Sequence, residues 1–155
     1  MRVQEFLSDS GVRFEVSHHV PVFTAQQMAQ VEHEPGRYVA KPVVLKVDGH
    51  YVMCVLPASY HVDLAKLKRE LGAHSVELAE EGEIEGLFPD CEVGAEPPFG
   101  NLYELPTLMD KAMEKDDHIL FQAGTHEDGI RMSMADYRRL VAPQVLDFGF
   151  RMSLH

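Results

Sequence analysis

An α/β (α+β) fold built on a mixed sheet is the class this sequence predicts. Short strand-like and helix-like segments alternate along it, two β-branched runs flank a hairpin turn, and no simple βαβαβ progression appears. With 155 residues and 45% hydrophobic content, the expectation is a single domain over 1–155 with a sizeable core, its substance lying over about 11–148. No internal repeat, low-complexity tract or linker interrupts it.

The apolar positions of Val3 to Leu7 suit a short helix, ended by Ser10-Gly11 before the alternating strand Val12-Arg-Phe-Glu-Val16. Thr24 reads as the N-cap of a second helix with Gln27 as its capping-box partner, and Pro35-Gly36 closes that helix. Val39 to Val47 and Tyr51 to Leu56 flank Asp48-Gly49-His50, the signal for a central hairpin. Asp63 caps a helix through Leu71, where Leu64, Leu67 and Leu71 recur at helical spacing and Gly72 ends the run. Ser75 to Leu78 reads as a strand and Glu80 to Gly86 as a short acidic helix. A long glycine- and proline-rich loop follows. Leu102 to Leu105, Ile119 to Gln122 and Gly129 to Met132 are further strand candidates. Ser133 with Asp136 opens a helix through Val141, and Val145 to Phe148 returns as a final strand.

No stretch approaches the ~20 apolar residues of a membrane span, and the start lacks the basic flank and long apolar stretch of a signal peptide, so a cytoplasmic location is expected. Cys54 and Cys91 have no C-x-x-C spacing and read as reduced thiols. Nine histidines include no His-Glu-x-x-His and no zinc-type Cys/His set, so neither metal nor cofactor is expected. Adjacent His18 and His19 point to opposite sides of an extended chain, which argues against their sharing a metal. Asp and Glu number 25 against 14 Lys and Arg, a net −11, which argues against tight holding of nucleic acid by its phosphates. Positive charge must then be local, with Lys41, Lys46, Lys66, Lys68 and Arg69 as candidates.

The most informative feature is a pair of segments: Lys41 at the head of Lys41-Pro-Val-Val-Leu-Lys46-Val-Asp-Gly49, and the heptapeptide Gly94-Ala-Glu-Pro97-Pro98-Phe-Gly100. Glycine allows close approach and positive φ while proline stiffens its neighbours, so such a loop can expose N–H groups to a polarised carbonyl. Lys41 supplies a cation, and Pro42 biases it toward extended backbone suited to a strand mouth.

Those segments, with Leu56-Pro57-Ala58, Asp63-Leu-Ala-Lys-Leu-Lys68, Leu71-Gly72, Ala123-Gly124 and Ile130-Arg-Met-Ser-Met-Ala-Asp136, share order and spacing with one family from about Gly11 to Phe148. The chain resembles the YbaK/ProX aminoacyl-tRNA deacylases, freestanding relatives of the editing domain of bacterial prolyl-tRNA synthetases. The resemblance implies a curved, partly barrel-like mixed sheet surrounded by helices, with the glycine-proline loop against Lys41. It implies hydrolysis of a small noncognate amino acid from the 3′ end of misacylated tRNA, with Ala-tRNAPro or Cys-tRNAPro leading and Ser- or Thr-charged tRNA as alternatives. Prolyl-tRNA synthetase or an elongation factor would deliver the tRNA.

Under that reading Lys41, Gly94 and Ala95 are the catalytic candidates. Lys41 provides electrostatics rather than base catalysis, since lysine titrates near about 10.4, and the N–H groups at Gly94 and Ala95 polarise the ester carbonyl. Pro98, Phe99, Gly100, Gly124, Thr125, His126, Phe23 and Thr24 are the substrate-binding candidates. Glu96 either repels phosphate, meets the substrate α-ammonium or, as the usual exposure of glutamate favours, faces solvent. No serine sits in a nucleophile elbow, neither cysteine has an activating context, and Gly94 to Gly100 is not a Walker loop. The rival reading is a noncatalytic adaptor or small-ligand module of the same fold.

Overall fold

The structure, a computed structural model, describes residues 2–151. In chain order, α1 is Arg2–Asp9, β1 Phe14–His18, α2 Ala25–Val31, β2 Ala40–Val47, β3 His50–Pro57, β4 Tyr60–Val62 and α3 Leu64–Leu71. Then come β5 Val76–Leu78, α4 Glu81–Leu87, β6 Thr107–Asp110, β7 His118–Gln122, β8 Asp128–Ser133, α5 Met134–Val141, β9 Gln144–Leu146 and β10 Gly149–Arg151.

The strands form a five-stranded mixed sheet in the order β5-β2-β3-β6-β9, a three-stranded sheet β1-β8-β7 and a ribbon β10-β4. A parallel bridge between Val39 and Leu120 joins the two larger sheets. The β2-β3 hairpin is central, and its two-residue turn places Asp48 at φ 49° and Gly49 at φ 83°, the left-handed pair that matches strand twist.

Alternation divides the core. Val44, Met53, Val55 and Met109 face the three-stranded sheet, packing with Ile119, Phe121, Ile130 and Met132. Leu45, Cys54, Leu56 and Leu108 face the other way, onto Leu67 of α3 and Phe148. The caps behave as expected: Asp63 accepts from Lys66 N–H, Ser133 from Asp136 N–H, and Gly72 takes φ 62° after α3. Thr24 accepts from Gln27 N–H at 3.0 Å, but the returning Gln27 side chain takes the N–H of Phe23, one residue before the box position.

Two expectations change. Leu102 to Leu105 is not a strand: Gly100–Tyr103 is a 3-10 turn, closed by the Leu105 N–H on the Gly100 carbonyl. The strand lies just beyond, at β6, buried at every position and parallel to both β3 and β9, so it carries no alternation to read. The expected strand Val145 to Phe148 breaks into β9 and β10, because Asp110 accepts the N–H groups of Phe148 and Gly149 and turns the chain.

Candidate functional site

A cavity of about 360 Å³ opens where the N-terminal end of β2 meets the glycine-proline loop, the entry to α2 and the end of β7. Ala40, Lys41 and Pro42 give it one wall, Gly94 and Glu96 another, Phe23 and Thr24 a third, and Gln122, Ala58 and His61 complete it. Lys41 and Pro42 point to opposite faces of β2, yet both line the cavity, so the space wraps around the strand's edge. That edge is open because β5 pairs only with Leu45 to Val47.

Lys41 is half-buried, and among the described residues its ammonium makes no ion pair or hydrogen bond. Burial pushes its pKa down, with no carboxylate offsetting the loss of water. The other candidate cations are elsewhere: Lys46 pairs with Glu83 and Glu77, Lys66 pairs with Asp147, and neither they nor Lys68 and Arg69 line the cavity.

Gly94 has φ +89°, and a Cβ placed there would sit 3.5 Å from His126 Cε1, so a glycine is required by conformation rather than by crowding. Its N–H lies 3.3 Å from Glu96 Oε1. The Ala95 N–H, expected to polarise the ester carbonyl, instead donates to the Glu92 carbonyl at 3.0 Å, and the residue is fully buried. Ala95 in turn accepts from Gly124 N–H, and Gly124 accepts from Glu92 N–H, so Ala95 and Gly124 hold the loop in place.

Pro98, Phe99 and Gly100, expected to contact substrate, do not line the cavity. Phe99 is fully buried, its ring edge-on to Phe6, Phe121 and Tyr137. The Pro98 carbonyl accepts the Tyr137 hydroxyl, and Gly100 is packed against Thr107 and the Leu105 carbonyl. These three residues anchor the loop rather than form its surface. Thr125 is likewise committed to its own turn, donating to Asp128 at 2.6 Å while accepting from the Glu127 and Asp128 N–H groups.

His126 sits behind Phe23, with ring centroids 4.7 Å apart and planes at 46°. Its Nδ1 lies 2.9 Å from the Val22 carbonyl, which can only accept, so Nδ1 carries a proton. The backbones of Val22 and His126 also bond at 2.9 Å. Phe23 is 64% exposed and offers an aromatic face at the rim. Neither adjacent histidine reaches the cavity: His18 bonds Asp128, and His19 turns toward Glu32. No metal-holding cluster occurs among the described residues.

Two cavity residues were not chosen from the sequence on the strength they show here. Gln122 lines the cavity and is 6% exposed, and its Oε1, itself buried, has no hydrogen-bond partner. A glutamine ending a strand carries no signal of that. Glu96, favoured as solvent-facing, is only 8% exposed; burial raises its pKa, opposed by its own N–H, that of Gly94 and the nearby His126.

Comparison with known proteins gives a consistent set of likenesses. The family model described as an aminoacyl-tRNA editing domain matches residues 19–140. A multifunctional Ser/Thr-tRNA deacylase of Escherichia coli K12 is 30% identical over 152 residues, spanning 95% of this chain and 90% of its own length. The proline-tRNA ligase of Staphylococcus saprophyticus is 29% identical over 118 residues, 76% of this chain but only 20% of that enzyme. Among solved structures, a candidate trans-editing enzyme for prolyl tRNA synthetase superposes with a TM-score of 0.83 at 22% identity, covering 98% of this chain and 96% of its own. A hypothetical protein gives a TM-score of 0.87 at 17% identity, over 97% and 100%.

Proposed function

The chain belongs to the aminoacyl-tRNA editing-domain family, and on that premise we propose that its cavity takes the 3′ end of a mischarged tRNA and hydrolyses the ester to a small amino acid. The observation that carries this reading is Lys41: a half-buried ammonium with no anionic partner among the described residues, in a cavity beside a glycine at positive φ. Such a charge is costly without a ligand and becomes favourable when an ester carbonyl or terminal phosphate meets it.

In the reaction, water attacks the ester carbonyl carbon, the carbonyl oxygen gains negative charge, and the bond to the ribose oxygen breaks. A proton passes to that oxygen, releasing the amino acid and the tRNA hydroxyl. Lys41 stabilises the developing oxyanion, worth most in a site that excludes water. The exposed face of Phe23, backed by His126, suits stacking of the terminal adenine. Ala40, Ala58 and Pro42 restrict the space left for the amino acid.

Within the small amino acids, seryl and threonyl esters rank ahead of the alanyl and cysteinyl esters of tRNAPro. The Escherichia coli relative is named for Ser/Thr-tRNA, and polar Gln122 and Thr24 line the cavity where a side-chain hydroxyl would need a partner. A hydrogen-bonding site discriminates far more sharply than a difference of one methylene, which is worth only about 1–3 kcal/mol. The net charge of −11 argues for delivery of the tRNA by a synthetase or elongation factor in the cytoplasm.

Single-turnover hydrolysis of tRNAs charged with Ala, Cys, Ser, Thr or Pro, with and without Lys41→Ala, tests the reading. Lys41-dependent loss of the seryl or threonyl ester is expected. Failure to hydrolyse any ester, by folded protein with synthetase present, would favour the noncatalytic module.

A further inference from the structure

Glutamate is seldom buried without a partner, because removing a carboxylate from water costs several kcal/mol unless a cation or hydrogen bonds compensate. Glu96 is 8% exposed and lines the substrate cavity. Among the described residues its carboxylate makes no ion pair, and its one hydrogen bond to another residue is the 3.3 Å contact with the Gly94 N–H. Lys41, lining the same cavity, is not paired with it either. The cavity therefore presents one unmatched cation and one unmatched anion.

An aminoacyl ester carries complementary groups: an electron-rich carbonyl oxygen and, three bonds away, a positively charged α-ammonium. We propose that Glu96 binds the α-ammonium group of the esterified amino acid, a role that rests on the deacylase reading of the cavity. With the ammonium on Glu96 and the carbonyl toward Lys41, the ester is held at both ends and the α-carbon side chain is directed by what remains of the wall, including Gln122. The ammonium also competes with the Gly94 N–H for the same carboxylate, leaving that N–H able to turn to the ester carbonyl. Charge-assisted hydrogen bonds of this kind are about twice as strong as neutral ones.

The test uses seryl-tRNA and alanyl-tRNA, each beside its deaminated counterpart, in which a hydroxyl of similar size replaces the α-ammonium. Rates are normalised to uncatalysed hydrolysis and measured for the unmodified protein, Glu96→Gln and Lys41→Ala. The unmodified protein should hydrolyse the amino ester at least 10-fold faster than the hydroxy ester. Glu96→Gln should lose about 10-fold on the amino ester and change little on the hydroxy ester, so that the preference collapses. Equal Lys41-dependent rates on amino and hydroxy esters of the unmodified protein would overturn the ammonium site while leaving the deacylase reading intact. Equal slowing of both esters by Glu96→Gln would also overturn it, assigning Glu96 to proton transfer or loop support. No Lys41-dependent hydrolysis of any ester would overturn the deacylase reading and this one with it.

Discussion

The Tyr137 hydroxyl donates to the Pro98 carbonyl at 2.6 Å, entirely inside the protein, and so fastens α5 to the loop that carries Gly94 and Glu96. With the packing of Phe99 on Phe6, Phe121 and Tyr137, the bond holds Pro98 and Phe99 inward. Tyr137→Phe keeps the ring against Phe99 and removes only the donor. It should lower stability by about 1–3 kcal/mol, the cost of leaving a buried carbonyl unmet, as read by urea denaturation. Its effect on hydrolysis should be much smaller than that of Lys41→Ala.

Gly100 and Gly94 should respond differently to alanine. A Cβ at Gly100 would lie 2.6 Å from the Leu105 carbonyl oxygen, and backbone must move to admit it. Gly100→Ala should therefore cost about 1–3 kcal/mol by overpacking, or more where the loop is displaced. At Gly94 there is space, and the cost is the positive φ, about 1–2 kcal/mol. Thermal melts of both variants check the order, and Gly94→Ala should show the larger loss of activity for its loss of stability.

Glu96 has a pH signature. Burial raises its folded pKa above the unfolded value, so the folded state holds its proton longer. Protonated in both states at low pH, the residue there costs nothing; as pH rises through the folded value, stability is lost. Glu96→Gln removes that loss while keeping an acceptor for the Gly94 N–H. The variant should melt higher than the unmodified protein at pH 7, with the difference vanishing as pH falls below the ordinary carboxylate range. A variant less stable at pH 7 would contradict this.

The thiols should be silent in the folded protein. Burial pushes Cys54 up to about 12 and Cys91 up to about 11, so neither holds an appreciable thiolate at pH 8. Titration with a chromogenic disulfide should label neither within minutes under native conditions, and both at once in guanidinium.

Local chemistry carried much of the fold: the Asp48-Gly49 turn, the caps at Asp63 and Ser133, and Gly72 all act where the sequence places them. What local chemistry does not encode is depth. β6 has no alternation because both its faces are covered, and Leu102 to Leu105 looked more strand-like than it is because its apolar residues serve a turn. The cavity was legible through Lys41 and Gly94, which need special backbone or charge. It was illegible through Gln122, buried with an unpaired Oε1, and Glu96, buried with one long hydrogen bond and no ion pair among the described residues. At Pro98 to Gly100 the distinctive motif marks a buried anchor rather than a contact surface.

Pro42 bears on how the molecule behaves in company. The Val44 carbonyl and the Asp48 N–H both face β5, so alternation turns the same side of Pro42 toward the open edge of β2. Proline has no N–H to offer there, and no ladder bond inside the sheet is lost by its presence. An exposed strand edge invites another chain to add a strand, the first step of sheet aggregation. At this edge such an intruder would also plug the cavity. A residue that cannot donate withholds a ladder bond from such an intruder at the cavity mouth, so the same proline that lines the cavity disfavours strand addition across it.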